Sequence, residues 1–197
     1  DGIFQIKALP DGSLFATGYS DLGGSAGFDL RVLKISKNGG LIWERIFGKS
    51  VFDSGTAIEP ASDGGCIVAG VTAKGGYQDD QAWILRLNPK GDLVWQRTIG
   101  GKKTDNAWAV IKKDSSHYAV VIATSSFGSG STDAWIICFD RNGNQKWERI
   151  YGGKLWDRPT SATLTKDGAL MIGGYTTTKG GGFEDFWLLR LDSNGNL

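Results

Sequence analysis

Leu85–Gly101 reads LRLNPKGDLVWQRTIGG, and Leu189–Leu197, LRLDSNGNL, starts the same phrase about a hundred residues later. An apolar run, a turn rich in Asn, Asp, Pro and Gly, and a second run built on Trp predict two strands joined by a hairpin. Working outward from Trp95, the phrase repeats with a fixed spacing. Trp43, Trp95 and Trp147 lie 52 apart, as do Asp1, Asp53, Asp105 and Asp157. Gly39, Gly91, Gly143 and Gly195 keep the period, as do Leu33, Leu85, Ile137 and Leu189. A fixed period in this range indicates a repeat architecture, with one supersecondary unit per repeat. The units are 1–52, 53–104, 105–156 and 157–197, in one domain or a fragment of one. Four copies of 52 would take 208 residues against the 197 present, so the last 11 positions of the fourth copy, its Trp run, are lacking.

Each copy divides into four short β-like runs. In the second copy they are Gly55–Ser62, Gly65–Thr72, Gln81–Leu87 and Asp92–Ile99. Tight turns, SDGG and NPKG, separate the first from the second and the third from the fourth, so neighbouring runs should pair antiparallel. The third run is apolar on both faces, Trp83, Leu85 and Leu87 alternating against Ile84, which predicts a sheet covered on both sides by its neighbours. Thirty glycines, eight tryptophans and one methionine agree with an all-β chain of many turns.

Stacked four-stranded antiparallel units of this length are the blades of a β-propeller. The phrase with a DGG turn, AG and T, D-x-W-x-L, an NGN turn, W and GG resembles bacterial and archaeal propeller repeats of secreted or surface proteins. The resemblance covers the whole chain and weakens in the third copy, where KDSSHYAVVIAT puts Ile122 in the place of Gly18, Gly70 and Gly174. It implies an all-β propeller of four 52-residue blades whose last blade lacks its fourth, outer strand. The leading expectation is a window from a longer propeller. The alternatives are a last blade completed by another molecule and a four-bladed ring with an open edge, which invites pairing with other chains. The resemblance also implies an extracellular or cell-surface location.

Twenty-two basic against 21 acidic residues give no field for phosphate backbones, so nucleic acid is not an expected partner. No apolar run approaches the roughly 20 residues of a membrane helix, so membrane insertion is not expected. The longer loops, Asp21–Phe28, Ala73–Asp80, Ser125–Thr132 and Thr177–Glu184, keep their length while their side chains change. That is how a scaffold varies its contacts. Tyr77, Gln78, Phe127 and Phe183, with Lys102, Lys103 and Trp156 from the loops joining copies, are the expected recognition face. Trp108 joins them because, like Trp156, it falls outside the repeating Trp positions. The partner would be a protein or glycan, or a second copy at the open edge.

Asp1, Asp53, Asp105 and Asp157 are candidates for an axial cation as hard oxygen ligands. The alternative, which we prefer, is that they cap N–H groups or bond the neighbouring copy. Cys66 and Cys138 occupy different repeat positions, so free buried thiols are expected in place of a disulfide. His117 is the sole histidine and has no nucleophile motif beside it. IGGKKT has Gln96 where a phosphate loop needs its first Gly. The repeat is also similar to quinoprotein propellers, but it lacks their vicinal cysteines and metal ligands. No cofactor and no catalytic residue is expected, and an enzymatic role ranks third.

Overall fold

The computed structural model describes residues 1–21, 27–48, 50–73 and 79–197. Among them there is no helix, and fifteen strands form four antiparallel sheets. The first sheet holds β1 (Gly2–Ala8), β2 (Leu14–Ser20), β3 (Asp29–Ile35) and β4 (Leu41–Phe47). The second holds β5 (Phe52–Pro60), β6 (Cys66–Ala73), β7 (Asp80–Leu87) and β8 (Leu93–Ile99). The third holds β9 (Asp105–Lys112), β10 (His117–Thr124), β11 (Asp133–Asp140) and β12 (Gln145–Tyr151). The fourth holds β13 (Asp157–Leu164), β14 (Leu170–Thr176) and β15 (Asp185–Leu191). Strands pair in chain order within every sheet, so each repeat is one meander.

The first strand of the second copy starts at Phe52, three residues before the expected Gly55, because Phe52 and Asp53 pair with Ala73 and Thr72. The polar Asp-Ser-Gly start looks like a loop in sequence, yet its backbone completes the ladder. At the DRNG turn, the Asp140 carboxylate accepts from the N–H groups of Asn142 (2.9 Å) and Asn144 (3.0 Å). Asp192 repeats the arrangement with Asn194 and Asn196, both at 2.8 Å. Bonds from these N–H groups hold both carboxyls below the usual range, that of Asn144 acting most on Asp140 and that of Asn196 most on Asp192.

Consecutive sheets pack face to face through three cores. Phe15, Leu30 and Val32 of the first sheet meet Ile58, Val68, Trp83 and Leu85 of the second. Ile67, Ala82 and Ile84 meet Tyr118, Val120 and Ile137 of the third. Val121, Ala134 and Ile136 meet Leu170, Ile172 and Leu189 of the fourth. Each fully buried Leu, Ile or Val contributes about 1.5–3 kcal/mol by leaving water.

A second device fixes the stacking. Trp43 and Trp95, on the fourth strands of the first two sheets, lie over the hairpin turn of the next sheet. Their indole N–H groups donate to Pro89 O (3.0 Å) and Arg141 O (2.9 Å). The glycine under each ring needs both its positive φ and its missing side chain: a Cβ on Gly143 (φ 80°) would lie 2.9 Å from the Trp95 ring.

The expectation that every third strand is covered on both faces is met in β7 and β11, which are buried nearly throughout, and fails in β15. There Phe186 and Leu188 are 97% and 63% exposed, because the fourth sheet packs on a neighbour through one face.

Candidate functional site

Every first strand contains a β-bulge at the fourth residue of its repeat. Pairing jumps from Ile3 to Gln5, from Gly55 to Ala57, from Ala107 to Ala109 and from Pro159 to Ser161. The residues passed over are Phe4, Thr56, Trp108 and Thr160, and all four line one pocket of ≈ 470 Å³. A bulge leaves its extra residue unpaired and re-aims its side chain, which is how four strands of one design turn four different side chains toward a common space. In three sheets the partner strand offers a glycine there: a Cβ on Gly70 would sit 1.9 Å from Ser54 O. Two residues before the bulge, Ser54, Asn106 and Arg158 also face the pocket.

Polar atoms of this pocket are in part unmatched. Ser54 Oγ, Asn106 Oδ1 and Trp108 Nε1 are buried and have no hydrogen-bond partner. A buried polar group left unpaired costs about 1–3 kcal/mol. The Arg158 guanidinium lies 4.7 Å from the Trp108 ring centre, a cation–π contact. Asp80, also on the wall, has its carboxyl raised by burial and then by the neighbouring Asp79 charge. Thr56 and Thr160 spend their hydroxyls on backbone carbonyls. On the first-sheet side, Phe4, Tyr19, Phe28 and Phe52 form a chain of rings at centroid distances of 5.7, 5.0 and 6.0 Å, which holds Phe4 and Phe52 in place.

The residues expected from sequence divide between two places. Trp156 and Phe183 meet in a cleft of ≈ 440 Å³ with Thr177 and Glu184, and both are exposed, at 51% and 97%. The cleft is tied by the Thr177 N–H donating to Trp156 O (2.7 Å) and the Trp156 N–H donating to Thr177 Oγ1 (3.0 Å). Phe127 stands on another loop, edge-on to Trp135 at 4.9 Å. Lys102 and Lys103 are exposed, and the Lys103 N–H donates to Ser126 Oγ (3.0 Å). Trp108 is not on this loop surface but in the pocket between first strands. Tyr77 and Gln78 lie outside the described residues.

Among the described residues no group of three or more His, Cys, Asp or Glu side chains gathers as metal ligands would. The recurrent aspartates accept bonds at the start of their first strands, and Asp53, Asp105 and Asp157 each tie in a residue of the preceding repeat, as the preferred reading expects. Asp105 accepts from Gly101 N (2.8 Å), Ser126 Oγ (2.6 Å) and the Thr124 hydroxyl, and Asp157 accepts from Gly153 N (2.6 Å), Thr178 Oγ1 (2.6 Å) and the Thr176 hydroxyl. Asp53 holds Ser50 through its N–H (2.9 Å) and hydroxyl (3.1 Å), while Asp1 accepts from Asp21 N (3.1 Å) and Arg31 Nη1 (2.8 Å). Cys66 and Cys138 are free and buried, and burial pushes the Cys66 thiol up to about 12. His117 lies against Asp114 (3.0 Å) beside the β9–β10 turn, at the far end of the strands from the pocket.

Ser54, Asn106, Arg158 and Phe4 were missed from sequence, although a signal was present. At the second repeat position stand Gly2, Ser54, Asn106 and Arg158, and at the fourth Phe4, Thr56, Trp108 and Thr160, while Asp at the first never changes. Two variable positions beside an unvarying one mark where identical repeats have diverged.

The chain is thus an all-β repeat protein whose four sheets turn their first strands to a shared pocket. No family model matches it. Over 132 residues it is 27% identical to Regulatory protein FlaEY of Caulobacter vibrioides, covering 59% of this chain and 13% of that protein, so it spans a small part of the relative's length. Among solved structures, Sqt1 from Chaetomium thermophilum aligns over 88% of this chain and 41% of its own, with 13% identity and a TM-score of 0.49. The Pan2 WD40 domain of Neurospora crassa aligns over 86% and 74%, with 12% identity and a TM-score of 0.31. At these TM-scores the fold rests on its own strand pairing and packing.

Proposed function

We propose that the four sheets are blades of a β-propeller and that the protein is a non-enzymatic binding module, taking a protein or glycan on its loop face. Support for the propeller comes from the unbroken 52-residue period, the repeated Trp-on-turn contact between sheets and the convergence of the first strands. The observation that carries the binding role is the Trp156–Phe183 cleft, two large exposed aromatics on one loop surface. Aromatic anchors of this kind dominate the energetics of recognition surfaces, and loops carried on a rigid scaffold are their usual place. The name of the FlaEY relative, a regulatory protein, is in keeping with action through binding.

The test is a glycan array and a displayed peptide library probed with the whole chain and with the Trp156→Ala/Phe183→Ala variant. Ligands held by the wild type and lost by the variant support the reading, and ligands held equally by both contradict it. One further observation favours a second reading, assembly by strand addition. β15 is the edge of its sheet, whereas β3, β7 and β11 are paired on both sides. Its N–H and C=O groups on that side can accept a strand from another chain or from further sequence of a longer protein.

A further inference from the structure

We propose that the pocket between the four first strands is a saccharide site, which takes one neutral hexose unit of a glycan. The assignment rests on the binding-module reading but not on its loop cleft, which is a separate place. Its volume, ≈ 470 Å³, falls within the range of about 300–1,000 Å³ of small-ligand sites.

The walls differ in a way that selects the ligand. One side is aromatic, with Phe4 and Phe52 buttressed by Tyr19 and Phe28. The other side carries the unmatched donor of Trp108 Nε1, the unmatched acceptor of Asn106 and the Ser54 hydroxyl, which can do either. Ser54 is 1% exposed and its hydroxyl has no partner among the described residues, so a sugar hydroxyl reaches it as the wall side chains shift to admit the ligand. A pyranose has one face of C–H groups to lie against rings and an equator of hydroxyls that both donate and accept, which fits both walls at once. A lipid chain would leave the polar atoms unpaired at the full burial cost. A polyphosphate would meet one guanidinium, Arg158, and oppose the Asp80 carboxylate. The bulges supply the specificity: because each re-aims one side chain of its own choosing, the repeat can change ligand without changing scaffold.

The experiment follows the Trp108 indole N–H resonance of the whole chain by NMR, identified as the peak missing from Trp108→Phe. The probes are methyl glucoside, methyl galactoside, methyl mannoside and N-acetylglucosamine. At least one sugar should move this peak saturably. Phe4→Ala should weaken that response about tenfold, and Phe4, being 60% exposed, can be truncated without loss of the fold. Asn106→Ala should weaken it about three- to tenfold through a lost hydrogen bond. Trp156→Ala should leave it unchanged. If no sugar moves the peak, or N-acetyl amino-acid amides move it and sugars do not, the saccharide assignment is wrong. If the sugar response survives Phe4→Ala and disappears in Trp156→Ala, the ligand belongs to the loop cleft, which overturns this site and leaves the binding module standing.

Discussion

Replacing Gly143 by Ala, with Gly39→Ala as its control, isolates the contact that locks one sheet on the next. The two glycines occupy the same place in equivalent hairpins, with φ of 80° and 83°, so a side chain costs the same backbone strain at both. That strain is about 1–2 kcal/mol, partly offset because Ala also lowers the freedom of the unfolded chain, so Gly39→Ala should destabilise by about 1 kcal/mol. Around Gly39 an added Cβ meets nothing within 4 Å. At Gly143 the same Cβ falls 2.9 Å from Trp95, inside van der Waals contact, and the ring must move. Moving it breaks the bond from Trp95 Nε1 to Arg141 O (2.9 Å) and unseats the ring from Phe139, 6.5 Å away. A lost hydrogen bond and disturbed aromatic packing add about 2 kcal/mol, giving about 3 kcal/mol in all. Urea unfolding followed by tryptophan fluorescence reads both costs as shifts in midpoint at constant slope. Equal costs in the two variants would refute the latch and leave sheet stacking to the apolar cores alone.

Three other outcomes follow from the same structure. Asp63 pairs with Arg86, which is 4% exposed, through bonds of 2.5 and 2.6 Å, so Asp63→Asn should destabilise by about 2 kcal/mol in urea unfolding by leaving a buried guanidinium short of its partner. Burial works to raise the Asp63 carboxyl, but the bonds and charge of Arg86 and the Gly65 N–H outweigh it and hold it below 3.8. Its contribution is therefore present above that value and lost as pH falls through the lower folded value, and the acid limb of a stability–pH curve should be shallower in Asp63→Asn. Cys66 and Cys138, buried and raised by burial, should react with Ellman's reagent at pH 8 only as fast as the chain unfolds, and prompt reaction of either thiol in the native protein would contradict their placement. Phe183→Ala should change stability by less than about 0.5 kcal/mol, since the ring is 97% exposed, and a large shift in the same unfolding assay would mean that it packs instead of presenting itself.

The four sheets were legible because Trp, Asp and Gly recur at fixed spacing, and a period of 52 leaves little freedom in how strands group. Two of the loop residues singled out from sequence, Trp156 and Phe183, come together, while Trp108 stands with residues that sequence did not select. The reason is the bulge. Reading Gly2 to Ala8 by strict alternation gives the wrong face to half the strand, since Phe4 is passed over in the pairing and every residue after it changes side. The closeness of Gly18, Gly70 and Gly174 to the first-strand backbone is the local trace of that bulge, and Ile122 at the same place in the third copy hides it. The unpaired edge of β15 was legible from the absent Trp run, whereas its exposed face, with Phe186 and Leu188, depends on what lies against the fourth sheet, which no local pattern records.

The claim on which the pocket and its proposed ligand depend is that the first strands of the first and fourth sheets face the same space. Thr160 is exposed and lines the pocket, while the two native thiols are buried, so a nitroxide attached at Thr160→Cys reports on that space alone. Paramagnetic broadening should then reach the amides of Phe4 and Gln5 as well as those of Asn106 and Trp108. Broadening confined to the third and fourth sheets, with Phe4 and Gln5 untouched, would contradict the account.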